Sequence, residues 1–296
     1  MGLRDWGLLC LLALLWGGSF FFVEVALGGM APLAVVWLRV AGAAAVLFVL
    51  LRLSGGGLPA GRTAWRAVGV MGLLNNALPF SLFALAQGRI GGGLAAILNA
   101  MTPMLTVVAL AALAGERPGA GRVVGVTVGF AGVAVMMGGA AEGELTAKLM
   151  CLAAAGCYAL ASVWGRRRLA ALGLAPMVVA FGQCAGAAVL LLPVVLWLRV
   201  WEGGAAGPAE WGAVAGLVLL STALAYVIFF RLFAAVGPVN VQLVTFLIPL
   251  VAVGLGIAVL GERLEPRHLA GAGLIGAGLV AIDGRFGGWI RARLGR

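Results

Sequence analysis

Charge is scarce in this chain. Only 10% of its 296 residues are Asp, Glu, Lys or Arg, against about 25% in an ordinary soluble domain. A soluble globule of this size needs a wetted polar surface, and these residues cannot supply one. Disorder requires low hydrophobicity and high charge, whereas 63% of this chain is hydrophobic and its mean hydropathy is +1.13. His268 is the single histidine and Lys148 the single lysine. Without H-E-x-x-H or a pair of intramembrane aspartates, a membrane-embedded enzyme lacks its usual ligands, acids and nucleophile–base pairs. A retinal-type pigment needs a buried lysine, and Lys148 reads as a loop-edge residue. No G-x-x-x-x-G-K-[ST] occurs, so no nucleotide-driven motor is encoded. Cys10, Cys151, Cys157 and Cys184 fall inside apolar segments with no C-x-x-C pair, which indicates neither a disulfide framework nor a zinc site. No metal or cofactor is expected.

What the chain does have is apolar runs and small residues. Glycine numbers 48, about double the usual share, yet without a Gly-X-Y period. Glycine is what close helix packing in lipid requires. The net charge of +10 does not mark a nucleic-acid binder, because the basic residues punctuate apolar runs instead of forming a stripe. Breaks at charges, glycine clusters and prolines divide the chain into ten spans of about 20 residues, the length that crosses a bilayer core. They fall near 6–27, 32–51, 64–87, 92–114, 121–139, 146–165, 176–198, 210–234, 239–260 and 268–283. Aliphatic runs of this length make the protein all-α and exclude an outer-membrane barrel. The first run is too long for a signal-peptide core and continues around Glu24, so it reads as a retained helix. With the N-terminus inside, 14 Lys and Arg residues lie on the inner side and five on the outer, Arg39 being within span 2. That bias places both termini in the cytoplasm.

The chain also repeats itself. At an offset of 146, residues 65–132 match 211–278: Trp65 meets Trp211, Phe83 meets Phe229, Gly91 meets Gly237 and Pro103 meets Pro249. Gly115-Glu116-Arg117 meets Gly261-Glu262-Arg263. At an offset of 144, Ala31-Pro32 meets Ala175-Pro176 and Ala41–Ala44 meets Ala185–Ala188. Five spans per copy is odd, so the copies cross the membrane in opposite directions. The expected organisation is a first repeat over 1–140, a second over 141–284 and a basic cytoplasmic tail over 285–296. Inverted repeats are the structural logic of alternating access.

Trp16-Gly17-Gly18-Ser19-Phe20 in span 1 and Trp37-Leu38-Arg39 in span 2 resemble the ten-helix exporters of the drug/metabolite transporter superfamily, built from two EamA-type domains. So do Pro103 in span 4 and the twice-used Gly-Glu-Arg. The resemblance covers the chain to about residue 284. It implies an inner-membrane exporter of small metabolites; members move amino acids, nucleobase-like compounds, sugars and drugs. The second copy departs from the first, with Cys157-Tyr158 and Gln183 where the first has Trp16-Gly17 and Arg39.

Several motifs have bland readings. Gly271-x-Gly273-x-x-Gly276 lies inside an apolar run, with Asp283 too soon for a dinucleotide fingerprint, so it reads as helix packing. Gly-Glu-Arg reads first as a helix-terminus device. His268 reads as a solvated interfacial side chain. Glu24 and Arg39 are sharper, because Arg39 lies about 12 Å deep at 1.5 Å per residue and an isolated charge there costs several kcal/mol. A mutual pair is expected, either structural or used in gating or coupling.

The midplane polar residues are the candidate site. Asn75-Asn76 in span 3 match Ser221-Thr222 in span 8; Phe80 matches Tyr226, and Asn99 matches Thr245. Thr102-Pro103 and Pro249 interrupt helical hydrogen bonding near the same depth. With Trp16, Ser19, Tyr158 and Gln242 these make an aromatic-walled, neutral hydrogen-bonding set. The expected function is a gradient-driven secondary transporter exporting small organic metabolites, such as amino acids or drugs, by alternating access through a central cavity. An uncoupled facilitator of the same solutes is the alternative, and a membrane-embedded enzyme the more distant one. Its partners would be a small-molecule solute and the lipid bilayer, with no nucleic acid, and it would act as a monomer.

Overall fold

The structure, a computed structural model, describes residues 2–137, 142–202, 204–241 and 243–283. Every regular element among them is helical. In chain order these are α1 (Leu3–Leu27), α2 (Pro32–Leu53), α3 (Gly61–Gln87), α4 (Gly92–Ala114), α5 (Ala120–Met137), α6 (Glu144–Leu172), α7 (Pro176–Trp197), α8 (Pro208–Gly237), α9 (Val244–Leu260) and α10 (Pro266–Ile282). Eight are long and apolar enough to cross a bilayer, while α9 and α10 are shorter apolar helices. Each coincides with one expected span.

The ends follow local chemistry. Proline, whose missing N–H costs nothing in a first turn, opens α2, α7, α8 and α10. Gly115 and Gly261 stop α4 and α9 at φ 69° and 68°, the left-handed region that glycine enters without strain. The next amide closes each end the same way: Glu116 N–H donates to Leu110 O at 3.3 Å, and Glu262 N–H to Gly256 O at 3.0 Å. Helix α6 outruns its expected end at 165. It carries Arg166, Arg167 and Arg168 through a π turn at Gly165–Leu169, and all three side chains are exposed. Long arginine stems let the charge reach water while the helix goes on.

Two edge residues are buried, contrary to expectation. Lys148 is fully buried, with Nζ 2.5 Å from Glu144 Oε1 and donating to Met136 O at 2.9 Å. It caps one of the carbonyls that the last turn of α5 leaves free, that of Met136. His268 is buried as well, its Nδ1 accepting the Glu265 N–H at 3.3 Å.

Helix α2 packs on α7, α4 on α9 and α5 on α10; α1 lies against α8 and α9, and α6 against α3 and α4. The α5–α10 seam shows why glycine is needed. A Cβ at Gly125 would fall 2.5 Å from Gly278 O, and one at Gly132 2.7 Å from Gly271 O. Of the Gly271-x-Gly273-x-x-Gly276 motif only Gly271 serves close packing, while Gly273 and Gly276 face open space.

Candidate functional site

Two π turns sit at matching places, Leu73–Ala77 in α3 and Leu219–Leu224 in α8. A π turn widens the helix and shifts its hydrogen-bond register, and such turns recur at functional sites. Asn75 and Asn76 lie in the first, Ser221 and Thr222 in the second. Helix α4 breaks at Ala100–Met101, ahead of Pro103. Helix α9 runs continuously through Pro249, so the break beside Pro103 has no counterpart beside Pro249, although the chain turns at Leu243 just ahead of α9.

Each π turn is held by the helix facing it. Arg39 on α2 donates from Nε to Thr222 Oγ1 at 2.9 Å. On α7, Gln183 Oε1 accepts from Asn75 Nδ2 at 3.2 Å. Arg39 and Gln183 occupy matching positions at the offset of 144, and Asn75 and Thr222 lie in the matching turns. Thr222 Oγ1 also donates to Leu217 O, five residues back, at 2.8 Å. Between the two links, Asn76 Nδ2 donates to Tyr226 Oη at 3.0 Å. Asn76, Ser221, Thr222, Tyr226 and Gln183 are buried, and Asn76 Oδ1 and Ser221 Oγ have no protein partner.

The aromatic contacts repeat the pattern. Trp16 packs on Phe229 with centroids 5.4 Å apart, and Tyr158 stacks on Phe83 at 6.3 Å; Phe83 and Phe229 are equivalents. Other candidates are used locally. Ser19 Oγ donates to Trp16 O at 2.7 Å. Thr102 Oγ1 donates to Asn99 O at 2.8 Å, bridging the α4 break. Thr245 is half-buried in the first turn of α9. Gln242 lies outside the described residues.

Glu24 and Arg39 do not pair. The Arg39 guanidinium lies 3.8 Å over the Phe80 ring and makes no ion pair among the described residues. Glu24 Oε2 instead accepts from Gly92 N–H at 2.8 Å. Glu262 reaches the same helix terminus, accepting from Gly93 N–H at 3.1 Å through Oε2. The first amides of a helix have no internal partner and carry the positive end of its dipole, so a carboxylate is stabilised there. The run Gly91-Gly92-Gly93 makes room: a Cβ at Gly91 would fall 2.6 Å from Glu262 Oε2. Gln87 completes the junction, its Nε2 donating to Phe20 O at 2.8 Å.

Sequence reasoning missed Gln183 and Glu262 as participants. A three-glycine run opening a helix was the available signal for Glu262, because it announces backbone amides with no side chains in the way. Trp37 of the α2 motif is explained by its Nε1 donating to Ala188 O on α7 at 3.1 Å.

A multi-helix bundle that buries polar side chains mid-chain and holds them across helices has the build of a membrane transporter. The EamA-like transporter family model matches the chain twice, over residues 6–138 and 145–282; the chain belongs to that family. It is similar to the inner membrane transporter YedA of Escherichia coli (strain K12), 27% identical over 280 residues that cover 93% of this chain and 89% of YedA. It is also similar to the transporter YvbV of Bacillus subtilis (strain 168), 26% identical over 288 residues, 93% of this chain and 90% of YvbV. A crystal structure 20% identical in sequence covers 95% of this chain and 96% of its own at a TM-score of 0.66, a likeness of fold. These relatives point to a multi-pass inner-membrane transporter and not to an enzyme.

Proposed function

We propose that the protein is a secondary transporter that exports small organic metabolites, amino acids and related compounds or drugs, by alternating access. Its working parts are two inverted five-helix repeats, 1–140 and 141–284, with both termini and the basic tail 285–296 in the cytoplasm. The observation that carries this reading is the doubled link at the π turns, Arg39 to Thr222 and Gln183 to Asn75. Equivalent residues from opposite halves grip equivalent turns, which is what a pseudo-twofold axis through a central solute site produces. In this reading Asn75, Asn76, Phe80, Ser221, Thr222 and Tyr226 line that site. Trp16, Ser19, Asn99, Thr102, Tyr158, Gln242 and Thr245 lie around it, and Glu24 and Arg39 serve gating or coupling. The protein works as a monomer.

The test is accessibility at two equivalent helix ends, using Glu116→Cys and Glu262→Cys separately in a background without the four native cysteines. Without solute, maleimide should label position 116 quickly and position 262 slowly. A transported solute should shift the two rates in opposite directions. Rates that move together would exclude an exchange of roles between halves. Reporter fusions at residue 296 and in the 166–168 segment should read cytoplasm, and a fusion near residue 142 the outside.

One observation favours the uncoupled facilitator as a second reading. Glu24 and Glu262 both accept from backbone amides of α4, which is a structural use of these carboxyls. A facilitator would show solute flux indifferent to an imposed pH gradient; a proton-coupled exporter would accelerate or reverse with it.

A further inference from the structure

The charge on Arg39 meets no opposite charge among the described residues. Its side chain is 7% exposed. Its one hydrogen bond among the described residues runs from Nε to a neutral hydroxyl, that of Thr222. One face of the guanidinium lies on the Phe80 ring, which attracts a cation but does not neutralise it. The ionisable groups that act on it electrostatically are Tyr158, Tyr226 and Cys184, phenols and a thiol that are ordinarily neutral at pH 7. A buried charge without a counter-ion is strongly unfavourable, and removing one partner of a buried pair is costly for the same reason.

The other half shows that the fold does not need this charge. At the matching position on α7, Gln183 grips the matching π turn with a neutral amide, whose Oε1 accepts from Asn75. Arg39 makes the same link through Nε alone. Its two terminal nitrogens, the end of the fork that grips a carboxylate in a bidentate manner, make no hydrogen bond among the described residues. Nearby, Tyr226 Oη accepts from Asn76, which leaves its own O–H free to donate.

We propose that Arg39 is the anchor for a carboxylate on the transported solute, with Tyr226 as a second donor and the rings of Phe80 and Tyr158 flanking an apolar body. The substrates are then organic acid anions or amino acids bound through their carboxylate; neutral and purely cationic compounds are poor ligands. This deepens the transporter reading by naming its substrate class. The Thr222 hydroxyl holds the guanidinium in place and acts as a positioning group.

The test uses acids and their primary amides, which match in shape and differ in charge: benzoate with benzamide, hexanoate with hexanamide, and N-acetylphenylalanine with its amide. The purified full-length protein is titrated with each while its thermal unfolding midpoint is followed. Carboxylates should raise the wild-type midpoint by several degrees and the amides should not. Arg39→Gln should abolish that response while unfolding, without ligand, no lower than wild type, because Gln can keep the Thr222 link as Gln183 keeps its own. Arg39→Lys retains charge without the fork, so its apparent affinity should fall about tenfold, the order of one lost charge-assisted hydrogen bond. Equal responses to acids and amides, no response to any acid, or an Arg39→Gln protein that still responds would overturn the proposal. If Arg39→Gln fails to fold, Arg39→Lys and the wild-type acid–amide contrast decide. Liposome flux separates this from the transport reading. Acids that bind but do not cross would leave the anion site standing and remove transport. Amides that cross as fast as acids, with Arg39→Lys indifferent, would do the reverse.

Discussion

The two halves share a framework and differ in what they put on it. At the π turns the first half offers a cation, Arg39, and the second a neutral amide, Gln183, and each holds the opposite turn. At the Gly-Glu-Arg ends the contrast is in closure. Glu262 is drawn onto the first amides of α4, whereas Glu116 pairs at 2.8 Å with Arg166 where both side chains are well exposed. The glycines that admit Glu262 are Gly91, Gly92 and Gly93, and the second copy has Gly237, Pro238 and Val239 in their places. Common backbone geometry with unequal side chains lets two similar units carry different duties. Glu262 is held on a backbone amide of α4 and Glu116 by a solvated ion pair, and of the two residues that hold the π turns only Arg39 is a cation.

The largest expected effect breaks the closure contrast. A side chain at Gly93 would meet Glu262 Oε2 at 2.9 Å and the Val253 Cα at 3.3 Å. Gly93→Val should therefore push Glu262 off the helix terminus at a cost of about 1–3 kcal/mol, the usual range for overpacking. Glu116→Ala, at the corresponding end of the other half, should stay within about 0.5 kcal/mol because its ion pair is exposed. Unfolding curves in detergent compare the two; equal losses would mean that both ends are built alike.

A smaller effect sharpens the comparison of the links. In a double-mutant cycle, Asn75→Ala with Gln183→Ala should give a coupling of about 0.6 kcal/mol, typical of a polar contact between membrane helices. Arg39→Gln with Thr222→Ala should couple no more strongly, since only Nε takes part. A much larger coupling would mean that Thr222 is supporting the charge itself. The smallest effect concerns Glu24 and Arg39. Having separate partners, Glu24→Leu and Arg39→Leu should add within about 0.5 kcal/mol; a double variant clearly better tolerated than Arg39→Leu would restore the pair.

The ten helices were readable because span length and proline or glycine breaks are local signals. The overrun of α6 was not, because three arginines look like a loop until their side chains are seen reaching water. The π-turn residues were found through the repeat, which located Asn76 and Thr222 without knowing their contacts. The partner of Arg39 escaped because sequence nearness favoured Glu24, across one short link, over Thr222, which is 183 residues away. Lys148 and His268 were misplaced for a related reason: burial at a helix end depends on which neighbours converge there. For Lys148 these are the Met136 carbonyl and Glu144.

The central claim is that the polar belt between the halves handles the solute, and counterflow in liposomes tests it most directly. Purified protein preloaded with an unlabelled carboxylate solute should accumulate the labelled compound transiently. Combined Asn76→Ala and Thr222→Ala should still insert and fold but lose or retune that accumulation, each neutral bond being worth about 1 kcal/mol. Wild-type counterflow kinetics in the double variant would contradict the account.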